Sequence, residues 1–584
     1  MELENIKSPA DIKGLGIGEL EDIASQMRQA ILNRTSQFGG HVGPNLGSVE
    51  AILALHYVFD APVDKLVYDV SHQAFPHKML TGRIDGYLYR EDFPKVGEYT
   101  SPVESPEYDL FYAGHTSPAL SLSVGLAKAR DLKHDRYNVV AFVGDGALSG
   151  GVAFEGLDVG GALNSNLICV INDNQMAIAE NHGGMYDHLR NLRETNGTAS
   201  DNLFKAFGWD YIYVAEGNNI ARLIEAYKAA KDSDHPVVIH INTQKGEGYR
   251  PAEQYREAFH YRDPFDIATG ELLKVSPTIN YTSVLKNFIN RSLRKYPEFL
   301  IISSATPDTF DLNANERAAL GKHYMDVAIA EQTGVSVMAG AARGGAKVLY
   351  AVVATFLQRA YDQLMEDWAM DPSPALMVVC ESGIKGVKDQ THLGFWDIPM
   401  ITSIPDIVYL APANLEEYEA MLDWAISQNN LKVAVRQPVY SIEHADYEVD
   451  KDYSDLNKFK MLKKGKDVAI IAAGDFLVKG RKVIDLLAAQ GIDATLINPR
   501  YVSGIDSEML KSLETDHKLV VTLEDGSIEG GFGQRVASAL GTSPLKVLNL
   551  GLEKRFVDRY DIKALETEYG LQPEQIAVTI SHLI

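Results

Sequence analysis

The chain has 584 residues, 46% of them hydrophobic, and a formal net charge of −24. This length suggests roughly three to four domains of ordinary size, and the acidic balance argues against nucleic acid or an anionic membrane surface as a partner. No apolar run approaches the ~20 residues a membrane span needs, and the opening "MELENIKSPADIKGLG" lacks the basic-then-apolar pattern of a signal peptide.

In chain order, "NVVAFVG" (138–144), "NLICVIN" (166–172) and "PVVIHIN" (236–242) read as buried strands. "KVLYAVVATF" (347–356), "ALMVVCE" (375–381) and "DIVYLAP" (406–412) follow, then "DVAIIAAG" (467–474), "DATLINP" (493–499) and "KLVVTLEDG" (518–526). Helical patterns such as "NLEEYEAMLDWAISQ" (414–428) separate them. Continuous apolar strands alternating with helices predict an α/β chain whose mostly parallel sheets are covered on both faces. A polar stretch at 263–281 and an acidic, nearly core-free one at 443–458 read as linkers. They divide the chain into three doubly wound domains, 1–275, 276–445 and 446–584. The two cysteines, Cys169 and Cys380, lie in apolar runs and read as buried thiols in a reducing cytoplasm.

The first chemical signal is "GDGALSGG", where a buried strand ends in Gly144-Asp145-Gly146. A buried, unpaired carboxylate is expensive, so Asp145 is either satisfied by local amides or holds a cation. Downstream, a second strand ends in Asn172-Asp173-Asn174. Neighbouring parallel strands bring such ends to one rim, where α/β folds bind ligands. Asp145 and Asn174 are hard oxygen donors of the kind Mg²⁺ takes alongside substrate phosphates. Glycine at 144 and 146 lets the backbone approach a diphosphate. Three further histidines lie in glycine- or serine-bearing turns: His41 in "GGHVGPNLGS", His72 in "YDVSHQAFPHKMLTGR" and His115 in "YAGHTSPALS". Each alone reads more often as a satisfied structural group than as a catalyst, but three in such turns point to a phosphate-handling site nearby.

In "YMDVAIAEQTGVSVMAGAARGG", residues 326–330 read as extended and 334 onward as a small-residue helix, with Glu331 at the junction. Glu331 is either a charge at a helix start or a buried carboxylate facing the ring nitrogen of a bound cofactor. Phe356 in "ATFLQRAYDQ" is either core or a stacking face for that ring.

With "KGEGYRPAE", "THLG" and "EGGFGQRV" added, these motifs resemble the 1-deoxy-D-xylulose-5-phosphate synthase family, a transketolase-like group of thiamine diphosphate enzymes. The resemblance runs nearly end to end. It implies thiamine diphosphate and Mg²⁺ as cofactors, the metal bound by Asp145, Asn174 and the Met176 carbonyl. Gly144, Gly146, Ala147, His115 and Lys245 would border the diphosphate, and Phe356 would stack on the cofactor. His41, His72, Glu331 and His392 would be catalytic, and Arg436, Lys388, Asp389 and Glu381 would meet the acceptor. The implied reaction decarboxylates pyruvate and joins the two-carbon unit to glyceraldehyde 3-phosphate, in a cytoplasmic homodimer.

Departures from the family pattern cluster. "CESG" places Glu381 where the family carries a phosphate-binding arginine, and "GVKDQTHLG" places Lys388 at an aspartate position. Val353 replaces a tyrosine and Thr333 a histidine, and "RQPVY" keeps Arg436 while losing a second arginine. The cofactor half is intact and the acceptor half is rewritten. A transketolase-type enzyme with another 2-oxo acid or ketose donor, or another aldehyde acceptor, therefore stands beside the synthase reading. An inactive cofactor-binding paralogue is the third alternative.

Overall fold

A computed structural model describes residues 1–274 and 280–584. The expected boundary at 275/276, and the part of the 263–281 stretch around it, lie outside the described residues.

The chain is α/β, with three mostly parallel sheets. The first contains β1 (Lys65–Tyr68), β2 (Val139–Gly144), β3 (Leu167–Asp173), β4 (Asp210–Val214) and β5 (Pro236–Asn242) in the order β1-β2-β3-β5-β4, every pair parallel. The second contains β6 (Phe299–Ser303), β7 (Tyr324–Asp326), β8 (Lys347–Val353), β9 (Leu376–Cys380), β10 (Ile407–Leu410) and β11 (Lys432–Arg436), ordered β10-β11-β9-β8-β6-β7 and also parallel throughout. The third contains β12 (Lys460–Lys463), β13 (Asp467–Ala472), β14 (Ala494–Asn498), β15 (His517–Ser527) and β16 (Lys546–Leu552), ordered β12-β14-β13-β15-β16. Only β12 runs antiparallel, against β14. The first sheet lies in one compact unit of the described residues, together with Ala328–Ala330, and the other two sheets lie in a second.

The strands follow from their side chains. All seven residues of β3 are buried, as a parallel strand covered on both faces requires. The helices that matter for the site are α1 (Ile17–Phe38), α2 (Gly43–Val58) and α3 (Ala119–Lys133) in the first unit, with α4 (Glu331–Arg343) and α5 (Leu415–Ser427) in the second. Helix α5 starts where the Asn414 side chain accepts the Glu417 amide at 2.9 Å, an N-cap followed by two glutamates that suit the helix dipole.

The acidic stretch 443–458 is not core-free. Tyr453 is 1% exposed, lies 5.8 Å from the Trp424 ring and accepts the Tyr501 hydroxyl on its carbonyl at 2.6 Å. Burying such a side chain contributes about 1.5–3 kcal/mol, and Tyr447 adds a second anchor, donating its hydroxyl to Glu417 Oε1 at 2.9 Å. Likewise Phe265, in the first expected linker, is buried beside Tyr249 and Phe259. Both cysteines are buried free thiols. No helix among the described residues is long and apolar enough to cross a membrane.

Candidate active site

Because the first sheet is parallel, the carboxyl ends of β1, β2, β3 and β5 share one edge, and the expected residues follow those ends: His72 after β1, Asp145 after β2, Asn174 after β3, Lys245 after β5. Gly144 pairs with Asn172, which sets Asp145 beside Asp173. Asp145 is 1% exposed and accepts one hydrogen bond from Asn181 Nδ2 at 2.7 Å. Burial, then the charge of Asp173, push its carboxyl up to about 8. Burial acts on Asp173 too, but His240 at 2.8 Å and Arg193 outweigh it and hold that carboxyl below its usual range.

Met176 donates its amide to Asn174 Oδ1 at 3.3 Å, so these two residues form one tight turn. Among the described residues no three His, Cys, Asp or Glu side chains are set to hold a metal. The candidate set differs in kind: one carboxylate, one amide oxygen and the Met176 carbonyl, the hard donors Mg²⁺ prefers. Asn181 Oδ1 is buried beside it without a hydrogen-bond partner. Glycine is favoured sterically at 146, where a Cβ would stand 3.0 Å from Ala177 Cβ, whereas at 144 a Cβ would meet only Gln73 Nε2 at 3.7 Å. Ala147 is buried, and its carbonyl accepts the Ser117 hydroxyl at 2.9 Å. Asp69, just past β1, accepts the amides of Ser117 and Ala119 at 2.7 and 3.1 Å and so folds the His115 turn onto the start of α3.

Lys245 is 1% exposed, donates to the Ala177 carbonyl at 2.7 Å and lies 3.1 Å from His260 Nδ1. Burial pushes its ammonium down to about 7, with Asp145 opposing. An anion beside Lys245 and a cation beside Asp145 would each restore the charged form.

The histidine rings of 41, 72 and 260 form a triangle with centroid separations of 5.0, 5.1 and 5.4 Å. Asn45 ties it together: its Nδ2 donates to the His41 and His72 carbonyls at 2.8 and 2.6 Å, and its Oδ1 accepts the Phe75 amide at 2.9 Å. A Cβ at Gly47 would stand 2.7 Å from the Gln244 carbonyl, so α2 lies directly on the Lys245 loop. The sequence reading missed His260, which sits between Phe259 and Tyr261 rather than in a small-residue turn; its spacing past the Lys245 motif was the one available signal. His72 Nδ1 is bonded to the Val70 carbonyl, and Val70 holds φ +35°, a costly setting for a β-branched residue.

In the second unit, Glu331 opens α4 and is 2% exposed. Its Oε2 is buried with no hydrogen-bond partner, and Arg359 Nη1 stands 3.5 Å away. Burial pushes the Glu331 carboxyl up, with Arg359 opposing. Phe356 is half-buried, and the His392 ring meets it edge-on at 5.5 Å. His392 is 6% exposed, with Nδ1 2.8 Å from Thr391 Oγ1.

The expected acceptor residues separate. Asp389 turns inward: its Oδ1 accepts the Thr391 amide at 2.8 Å and hydroxyl at 2.5 Å, bracing the His392 turn. Lys388 is exposed, and its carbonyl accepts the Arg559 amide at 2.8 Å. Glu381 is exposed just past β9 with φ +51°. Surrounding protein, then Asp308, push its carboxyl up, against Lys385. Arg436 is 5% exposed and enclosed, paired with Asp397 at 2.7 and 3.2 Å and with Asp525 at 2.5 Å.

Residues 3–200 match the family model described as 1-deoxy-D-xylulose-5-phosphate synthase, residues 277–441 the transketolase pyrimidine binding domain, and residues 457–576 the transketolase C-terminal domain. 1-Deoxy-D-xylulose-5-phosphate synthase 1 of Geobacter metallireducens is 34% identical over 618 residues, covering 99% of this chain and 98% of its own. The synthase of Pelotomaculum thermopropionicum is 35% identical over 613 residues, covering 98% and 96%. Among solved structures, a transketolase of Pichia stipitis in complex with sedoheptulose 7-phosphate is 16% identical, covers 97% of each chain and has a TM-score of 0.46.

Proposed function

The chain belongs to the 1-deoxy-D-xylulose-5-phosphate synthase family, and we propose on that basis that it decarboxylates pyruvate and joins the two-carbon unit to glyceraldehyde 3-phosphate, the entry to isoprenoid precursors. The observation that carries the reading is Glu331, a buried carboxylate at a helix start whose Oε2 lacks a hydrogen-bond donor. A buried carboxylate oxygen without a hydrogen bond, its nearest cation Arg359 Nη1 standing 3.5 Å away, demands an explanation, and a ring N–H or ring nitrogen of thiamine diphosphate supplies one. When bound, that cofactor provides the electron sink for losing CO₂ and forming a carbon–carbon bond.

The chain's own residues divide the remaining work. Asp145, Asn174 and the Met176 carbonyl would hold Mg²⁺, a cation that with Lys245 would offset the charge of a diphosphate. Gly144, Gly146 and Ala147 let the backbone approach it. Glu331 holds a proton at the cofactor ring, and Phe356 gives that ring an apolar face. His41, His72 and His392 move protons to and from substrate oxygens, with His115 and His260 lining the same unit as the first two. A homodimer in the cytoplasm fits the family resemblance and the two unpaired, buried thiols.

A second reading rests on Glu381. A carboxylate on the rim past β9, with Arg436 engaged by Asp397 and Asp525, favours an acceptor without a phosphate dianion at that position.

The test is Glu331→Ala. Calorimetry is expected to show thiamine diphosphate still binding, while hydrogen–deuterium exchange at its C2 position and product formation fall on the order of 10²–10⁴-fold. Wild-type exchange in the variant would remove the assigned role, and a wild-type protein inert toward pyruvate would remove the reaction.

A further inference from the structure

We propose that Glu98 is the positioning carboxylate of His41: it holds the ring proton on Nδ1 and leaves Nε2 as the atom that takes a proton during the reaction. The inference rests on the carboligase reading for what that proton is, and on the structure alone for the pairing.

Glu98 lies in a long irregular stretch, from the end of the short helical turn at Lys95 to the start of α3 at Ala119. Stretches of this length without regular structure in a compact unit are usually functional. This one is pinned by polar ties. Lys78 Nζ donates to the Gly97 carbonyl at 2.9 Å, and the Gly97 amide donates to Glu104 at 2.7 Å. The Thr100 amide donates to Ser71 Oγ at 2.7 Å. Asp109 accepts from the Ser101 amide at 2.7 Å, from Arg83 at 2.6 Å and from His77 at 2.9 Å. Glu98 is thus presented from fixed backbone.

The His41 side is equally built. Gly40 and Arg262 exchange two backbone hydrogen bonds of 2.9 Å, which fixes the loop before the ring. Gly40 holds φ +132°, and a Cβ there would stand 2.8 Å from Glu98 Oε1, so glycine is what leaves room for the carboxylate. His41 Nδ1 and Glu98 Oε2 are hydrogen-bonded. The ring is 9% exposed, among His72, His260, Tyr261 and Tyr99 at 5.0, 5.4, 5.1 and 6.0 Å. Lys245 stands behind His260. Of these groups facing His41, Glu98 alone is a carboxylate.

A carboxylate on one ring nitrogen fixes the tautomer and stabilises the imidazolium formed when the other nitrogen accepts a proton. The step is a balanced proton transfer: an O–H bond of the substrate breaks, an Nε2–H bond forms, the charge spreads over the ring beside Glu98, and the proton is later returned to oxygen.

The experiment uses the full chain with Mg²⁺ and thiamine diphosphate. For Glu98→Gln, kcat with pyruvate is expected to fall about 10- to 100-fold with KM little changed. The acid limb of the kcat–pH profile should move to lower pH, because the negative partner of His41 is gone. Glu98→Asp should recover part of the loss. ¹⁵N NMR of His41 in the resting protein, which needs no turnover, should show the proton on Nδ1. An unchanged kcat and acid limb in folded Glu98→Gln would overturn the proposal. So would an Nε2 proton in the wild-type protein, which decides the pairing even if pyruvate proves not to be a substrate.

Discussion

Asp145 and Lys245 are two buried groups of opposite sign that act on each other at one sheet edge, and each is pushed toward its neutral form, to about 8 and about 7. Such a pair is poised for guests that carry the complementary charges.

The pair gives the ligand-free protein a measurable pH response. Asp145 has a folded pKa above its ordinary value of 3.8, so it binds a proton that the unfolded chain has lost, and its contribution to stability falls as pH rises from about 4 to about 8. Asp145→Asn removes that burden. Without metal or cofactor the variant should melt near the wild type at about pH 4 and increasingly above it toward pH 8, by thermal denaturation. With Mg²⁺ and thiamine diphosphate the order should reverse, because the variant lacks the carboxylate that the metal prefers. A variant that binds both as tightly as wild type would take Asp145 out of the metal site.

Glu381 sets up a test of the acceptor. A charge-assisted contact contributes roughly 1.5–3 kcal/mol, on the order of tenfold to a hundredfold in affinity, and a carboxylate in its place adds repulsion toward a phosphate. Steady-state kinetics with pyruvate should show Glu381→Arg lowering KM for glyceraldehyde 3-phosphate and leaving unphosphorylated glyceraldehyde nearly unaffected. If the wild type already prefers the phosphorylated aldehyde and the variant brings no gain, the phosphate is read elsewhere.

Arg436 should behave as a structural ion. Arg436→Ala leaves Asp397 and Asp525 buried without their cation, and breaking such a pair costs about 3–5 kcal/mol. Urea denaturation is the measurement. A variant of native stability whose only defect is a raised acceptor KM would restore the role that the sequence pattern implies for this residue.

The strands that sequence displayed best are those buried on both faces. "PVVIHIN" coincides with β5, and the apolar runs at 139–144 and 167–173 bound the candidate metal turn, because a parallel strand covered on both faces takes such side chains. Short or edge strands went unread: β7 has three residues, and β4 at its sheet edge mixes tyrosines with an aspartate. Asp145, which announces itself by flanking glycines and charge, was legible for the same reason that makes it costly, while Lys245 entered only through the family resemblance. His260 and Glu98 were not, because their meaning lies in which ring or carboxylate they touch across the fold. The ion pairs of Arg436 with Asp397 and Asp525 were likewise not legible, because a motif gives a residue's place in the chain and not the partners of its side chain.

Asn45 makes the His41 and His72 loops one mechanical part. Its single amide spans both carbonyls and the Phe75 nitrogen, so neither loop can loosen without releasing the other. In hydrogen-exchange terms the two histidine loops belong to one opening unit, and their alignment is gained or lost in a single event rather than by degrees.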